Sequence, residues 1–242
     1  MPTLISNELR KLRTIRGPWL LLASGPLLTV MGVAGVVAGD RDLTKPEAVT
    51  EAASHVGLMS VLALVFGIIA IAGEYRHKTI TDTYLATPRR GRVITAKLIV
   101  CLAIGTVFGV FLAVTAVAAI ALAFPVDGGS LDLSDDGLWR TLAGGIAWNA
   151  AFAAIGVAVG ALLRNLSAAL AASLAWIALV EGIIGQLIGD LDQWLPFTSG
   201  QALGGLPTAP DLPQWEAALI LCAYTAAFTV VAISTSARRD VT

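Results

Sequence analysis

Charge is what this chain has least of. Asp, Glu, Lys and Arg make up 14% of its 242 residues, where a soluble domain carries about 25%. The charges stand in clusters, separated by apolar stretches of roughly 20 residues, the length at which a helix crosses a hydrocarbon core. An ordinary soluble domain is thereby excluded. The stretches also lack the period-two alternation of a barrel strand. Since backbone groups in lipid must be satisfied internally, helices remain. Cysteine is almost missing: Cys101 and Cys222 both fall in apolar runs, where they read as packing residues, and no disulfide framework follows. The two histidines, His55 and His77, are isolated, so no cluster has metal-ligand spacing. There is no nucleophile elbow, no zincin motif and no G-x-x-x-x-G-K-S/T phosphate loop. If ATP drives this chain, another polypeptide hydrolyses it. No internal repeat is visible, which weighs against a carrier built from inverted halves.

What is present reads as an all-α polytopic membrane protein, one domain over 1–242. Its six transmembrane helices fall near 18–39, 54–73, 94–124, 138–163, 167–189 and 215–236. The third, about 46 Å long at ~1.5 Å per residue, exceeds a bilayer core, so its first turns are expected in the cytoplasm. Thirteen of the sixteen Lys and Arg fall on one side. They are Arg10, Lys11, Arg13 and Arg16, then Arg76, Lys78, Arg89, Arg90, Arg92 and Lys97, then Arg164, Arg238 and Arg239. The other side has Arg41, Lys45 and Arg140 against twelve acids, among them Asp40, Asp42, Asp135, Asp136, Asp190 and Asp211. The excess of cations predicts that both termini and the 74–97 loop are cytoplasmic.

Before the first span, Leu4, Ile5, Leu9, Leu12 and Ile15 recur at helical spacing, with cations on the remaining faces. The pattern predicts an interfacial amphipathic helix within 1–17, and Pro18 after Gly17 suits a new helix start. The following apolar run is too long for a cleaved signal and lacks a small-x-small site, so a retained span is expected.

Residues 73–98 form the one long polar passage, with six of the sixteen basic residues. The chain leaves the membrane at Gly73, places Glu74 at the water boundary and continues through Tyr75, Arg76, His77, Lys78, Thr79 and Ile80. A short helix over Thr81–Ala86 is expected to end at Thr87-Pro88, since the residue before proline disfavours α geometry. A loop of about 20 residues is longer than a reversal needs, and either sets topology or docks a partner. Glu181 closes an apolar run where a buried charge is costly (about 2.5–3.5 kcal/mol at mid-depth), which marks it for a role. Asn149, beside Trp148 and Phe152, reads as an interhelical hydrogen bond. The pairs Gly35/Gly39, Gly105/Gly109, Gly156/Gly160 and Gly185/Gly189 permit close helix approach.

The stretches "GEYRHKTI" and "ATPRRGRVITAKL" resemble the ABC type-2 exporter permeases, and the resemblance runs the whole chain through "NELRKLRTIRGPW" and "VEGIIGQLIGDLDQWLPF". It departs at Lys78, where many relatives have glycine. The resemblance implies a non-catalytic half-transporter that binds no cofactor itself. It would pair with a second permease subunit, as homodimer or heterodimer, and with two copies of an ABC ATPase carrying ATP and Mg²⁺, in the bilayer of the cell membrane and without nucleic acid. It places the ATPase-coupling region at 74–93, with Glu74, Tyr75, Arg76, His77, Thr79 and Ile80 in contact; Glu74 serves as a charged anchor paired with Arg76 or a partner cation. It also implies an extracellular re-entrant hairpin over 181–206 with a break at Leu195-Pro196. Glu181, Asn149, Phe152 and Pro196 then mark a substrate path or outer gate, with Glu181 holding the hairpin or meeting substrate. The cargo would be hydrophobic or amphipathic: a drug, a peptide or a lipid. A self-contained carrier or channel, and a non-transporting membrane scaffold or sensor, remain the other readings.

Overall fold

The computed structural model describes residues 1–14, 16–39, 45–87, 89–127, 131–187 and 189–238. The described residues are helical with turns between, and no strand occurs among them. Helix α1 (Pro2–Thr14) is followed by α2 (Arg16–Ala38), then α3 (Pro46–Leu58) and α4 (Ser60–Arg76). The short α5 (Ile80–Ala86) leads into the 38-residue α6 (Arg90–Asp127). Next come α7 (Asp136–Leu163) and α8 (Leu166–Ala175), then a π turn over Trp176–Glu181. Short helices α9 (Gly182–Leu187), α10 (Gly189–Asp192) and α11 (Pro196–Leu203) precede α12 (Gln214–Arg238).

Among the described residues, five helices are long and apolar enough to cross a membrane: Arg16–Ala38, Pro46–Arg76, Arg90–Ala123, Asp136–Leu163 and Gln214–Thr235. The second begins earlier than hydropathy suggests. Ala48, Val49, Ala52, Ala53 and Val56 are buried, so packing extends the helix back past the acids Glu47 and Glu51. It is interrupted only at Met59. The expected fifth span is not one long helix; its apolar part, Leu166–Glu181, is shorter. The α ladder widens there to i→i+5 spacing, and across that same five-residue interval the Trp176 indole N–H donates to the Glu181 carboxylate at 3.1 Å.

Helix α7 is the hub, packed by α3, α4, α6 and α12. Its most extensive packing, with α4, depends on glycine. A Cβ on Gly156 would collide with the Leu64 carbonyl, and one on Gly67 with the Ala153 carbonyl. Gly105 and Gly109 meet α7 in the same way, whereas Gly35 faces open space. Trp148 is fully buried on α7 and meets Phe152 and Phe197 edge-on at centroid distances of 5.8 and 5.3 Å, a favourable aromatic geometry. Outward faces carry Leu20, Met31, Val107, Leu122 and Val230, all exposed. A rim this apolar is suited to lipid rather than water.

Candidate functional site

The end of the molecule that carries α1, α5 and the first turns of α6 is built around charge. Lys97, grouped with the loop cations on sequence, lies inside α6 and is buried. Its ammonium donates to the Glu74 carboxylate of α4 at 2.7 Å and to the Glu8 carboxylate of α1. It also reaches the Ala70 carbonyl at 3.3 Å. Lys11, one turn past Glu8, donates to Glu8 at 2.9 Å, to Glu74 at 3.3 Å and to the Thr83 hydroxyl of α5 at 2.9 Å. Two cations and two anions balance. Buried charges persist only when paired and hydrogen-bonded, and these four tie α1, α4, α5 and α6 into one body. Glu74 therefore does not stand at the water boundary beside Arg76. It points inward, and Arg76 is exposed. Nor does α1 present only cations beyond its apolar face, because Glu8 is buried there against α6.

Above this cluster Ile80, Tyr84 and Val93 make a small core with Tyr75 packed on it. The hydroxyls of Tyr75 and Tyr84 share a hydrogen bond of 3.2 Å. The Arg164 guanidinium lies 5.8 Å from the Tyr75 ring centroid and that of Arg90 lies 5.4 Å from the Tyr84 ring, both within cation–π range. Burial, with a smaller contribution from the Tyr75 hydroxyl, raises the Tyr84 phenol above its ordinary range. Of the six residues assigned to coupling, Glu74 and Ile80 are thus internal and Tyr75 is half-buried, while Arg76, His77 and Thr79 are exposed. Leu85, not singled out on sequence, joins the exposed set with 76% of its surface free. Only the 3.6-residue period of a short helix could have flagged it. Between α4 and α5 the chain turns at Lys78, whose φ is +58°. Only glycine adopts that left-handed conformation without strain. The departure from glycine at Lys78 hence falls at the one turn position that favours glycine.

The second locus lies where the π turn meets α11. Buried Glu181 accepts the backbone N–H of Phe197 (3.0 Å) and of Thr198 (2.9 Å), the Thr198 hydroxyl (3.2 Å) and the Trp176 indole N–H. Pro196, the first helical residue of α11, has no N–H to offer. The carboxylate satisfies the next two free donors at that helix start, where a negative charge is favoured. Beside it opens a cavity of about 350 Å³ between α4, α7, α8, the π turn and α12, walled by Leu64, Phe152, Val159, Pro196, Tyr224 and Phe228. Glu181, Phe152 and Pro196 come together at this cavity. Asn149 does not: its amide N–H₂ donates to the Val56 carbonyl (2.9 Å) and to that of Gly145 (2.8 Å), tying α7 to α3. Among the described residues no cluster of His, Cys, Asp and Glu could hold a metal.

Compared with known families, the model of the ABC-2 family transporter proteins matches residues 3–241, nearly the whole chain. No curated protein matches it.

Proposed function

This chain belongs to the ABC-2 transporter family, and from that premise we propose that it is the permease subunit of an ATP-driven exporter. In this reading the five long helices and the Leu166–Glu181 segment make six crossings of the cell membrane, with both termini cytoplasmic. Helix α1 lies in the inner interface, and α9 to α11 re-enter the bilayer from outside. Two permease subunits form the path, and two ATPase subunits, which hold ATP and Mg²⁺, dock beneath. The cargo is hydrophobic or amphipathic, consistent with the apolar cavity beside Phe152, Pro196 and Glu181.

The observation that carries the reading is the exposed ridge of Arg76, His77, Thr79 and Leu85. It stands on a base cross-linked by Glu8, Lys11, Glu74 and Lys97. Rigid-body coupling needs such an element, free on one side to bind a moving partner and fixed on the other to the spans. The test is co-expression with the cognate ATPase. Arg76→Ala, His77→Ala and Leu85→Ala should insert and melt as the parent does, yet lose ATPase retention and substrate-stimulated hydrolysis. Arg92→Ala, exposed on the first turn of α6, should change little. If all four variants behave alike, the basic segment only sets topology and the coupling reading fails.

A further inference from the structure

A groove of about 510 Å³ runs between α1, α2 and α6 at the charged end of the molecule. Buried Leu22 and Phe108 and half-buried Ile104 line it, and the exposed Arg13, Trp19, Val107 and Phe111 stand in its wall. Along α6 it extends from Ala103 to Phe111, about 12 Å of helix axis. Trp19 is held in place by its indole N–H, which donates to the Leu12 carbonyl at 2.7 Å, and by edge-on contact with Phe66. A tryptophan with one apolar and one polar end settles at the headgroup level of a bilayer. Arg13 is exposed, and Arg10, one turn back on α1, is exposed as well. The single acid in residues 1–17 is Glu8, which is buried in its salt bridges to Lys97 and Lys11. The surface here is accordingly positive, beside a groove lined mostly by apolar side chains.

We propose that this groove is a binding site for one anionic phospholipid of the inner leaflet, its phosphate on Arg13 and one acyl chain laid between α2 and α6. The inference rests on the proposed orientation, with the charged end cytoplasmic, and holds whether or not the chain exports anything. Any apolar face is wetted by lipid; a cation at the head of a groove about 12 Å long, most of one leaflet's hydrocarbon depth of about 15 Å, distinguishes a site. A basic residue near the headgroup plane favours an anionic lipid by about fivefold.

The experiment titrates the purified full-length chain in non-ionic detergent with dioleoylphosphatidylglycerol and, separately, dioleoylphosphatidylcholine. Native mass spectrometry counts the bound lipid. The first phosphatidylglycerol should bind about fivefold more tightly than phosphatidylcholine, and Arg13→Ala should abolish that preference. Ala103→Leu, at an exposed groove position, fills the channel without changing charge and should weaken both lipids. Arg92→Ala, at the same end but outside the groove, should leave the preference intact. Equal binding of the two lipids by the parent, or an unchanged preference in Arg13→Ala, overturns the headgroup assignment. Unchanged binding in Ala103→Leu, or a loss in Arg92→Ala as large as in Arg13→Ala, shows lipid spread over a basic surface and overturns the site.

Discussion

Replacing Lys97 by methionine tests whether the ion cluster holds the charged end together. The ammonium is 3% exposed and lies between the Glu8 and Glu74 carboxylates, whose side chains are 4% and 10% exposed. Methionine keeps an unbranched apolar stem only one atom shorter but removes the charge. Two carboxylates then share Lys11, which is 38% exposed and better served by water. Removing one partner of a buried ion pair costs about 3–5 kcal/mol, because the remaining charge stays desolvated. At about 2–4 °C per kcal/mol for a chain of this size, Lys97→Met should melt roughly 6–20 °C below the parent. The companion variant is Glu8→Leu with Glu74→Leu and Lys97→Met. It exchanges the whole buried set for apolar side chains, which is often neutral or better, so most of the loss should return. Thermal unfolding of the purified chain in detergent, read by size-exclusion monodispersity, measures both. A Lys97→Met variant within about 2 °C of the parent, or a triple variant no better than the single, refutes the claim that these charges are desolvated and interdependent.

Lys78→Gly should stabilise the turn between α4 and α5 by roughly 0.5–1 kcal/mol, the relief of left-handed strain less the added chain entropy of glycine; a lower melting temperature would contradict the strain. Glu181→Gln substitutes one acceptor and one N–H₂ group for two acceptors facing several donors, and should cost about 1–3 kcal/mol in the same melting assay. No change there would mean that water or lipid headgroups already serve the start of α11. In a background lacking Cys101 and Cys222, cysteines at Asp135 or Asp211 should label from outside the cell, and one at Arg90 only after permeabilisation; external labelling at position 90 reverses the orientation.

Much of the helical frame was legible because membrane spans announce themselves locally. The 138–163 span is α7 to within two residues at its start, and the short helix expected over Thr81–Ala86 is α5, capped at Thr87. Proline 88, on which that ending was argued, is outside the described residues. The failures share one cause. Hydropathy sorts each residue by its neighbours in sequence, whereas Lys97 is buried through Glu8, 89 positions away. An isolated lysine at the head of an apolar run looks like a topology signal. Nothing local shows that its ammonium meets two carboxylates. The 46–53 stretch likewise reads as an acidic outer loop until α2, α6 and α7 cover its alanines and valines. For Glu181 the cost of a charge in an apolar run flagged the residue, but its partners, Trp176, Phe197 and Thr198, required the fold.

The burial of Glu74 changes how coupling must be tested. The end of α4 and the turn after it pass through three environments: Glu74 faces the ion cluster, Tyr75 packs on the small core, and Arg76, His77 and Thr79 face outward. A Glu74→Ala variant that lost ATPase stimulation would report a loosened base and a lost contact at once, with no means of separating them. The base holds no position where charge can be removed cheaply, since each carboxylate serves both lysines. The ridge is the opposite. Arg76, His77 and Leu85 are exposed, so truncating them leaves the fold nearly untouched, within about 0.5 kcal/mol for surface sites. An anchor buried at a partner surface can be worth about 2 kcal/mol or more in binding, and with its apolar side chain mostly free, Leu85 is the best such anchor here. Stability and coupling are therefore separable only across this boundary. Variants at Glu8, Glu74 and Lys97 should move melting temperature and activity together, and variants at Arg76, His77 and Leu85 should move activity alone. A ridge variant that melted as low as Lys97→Met would join the two groups and remove the ground for treating the ridge as a docking surface.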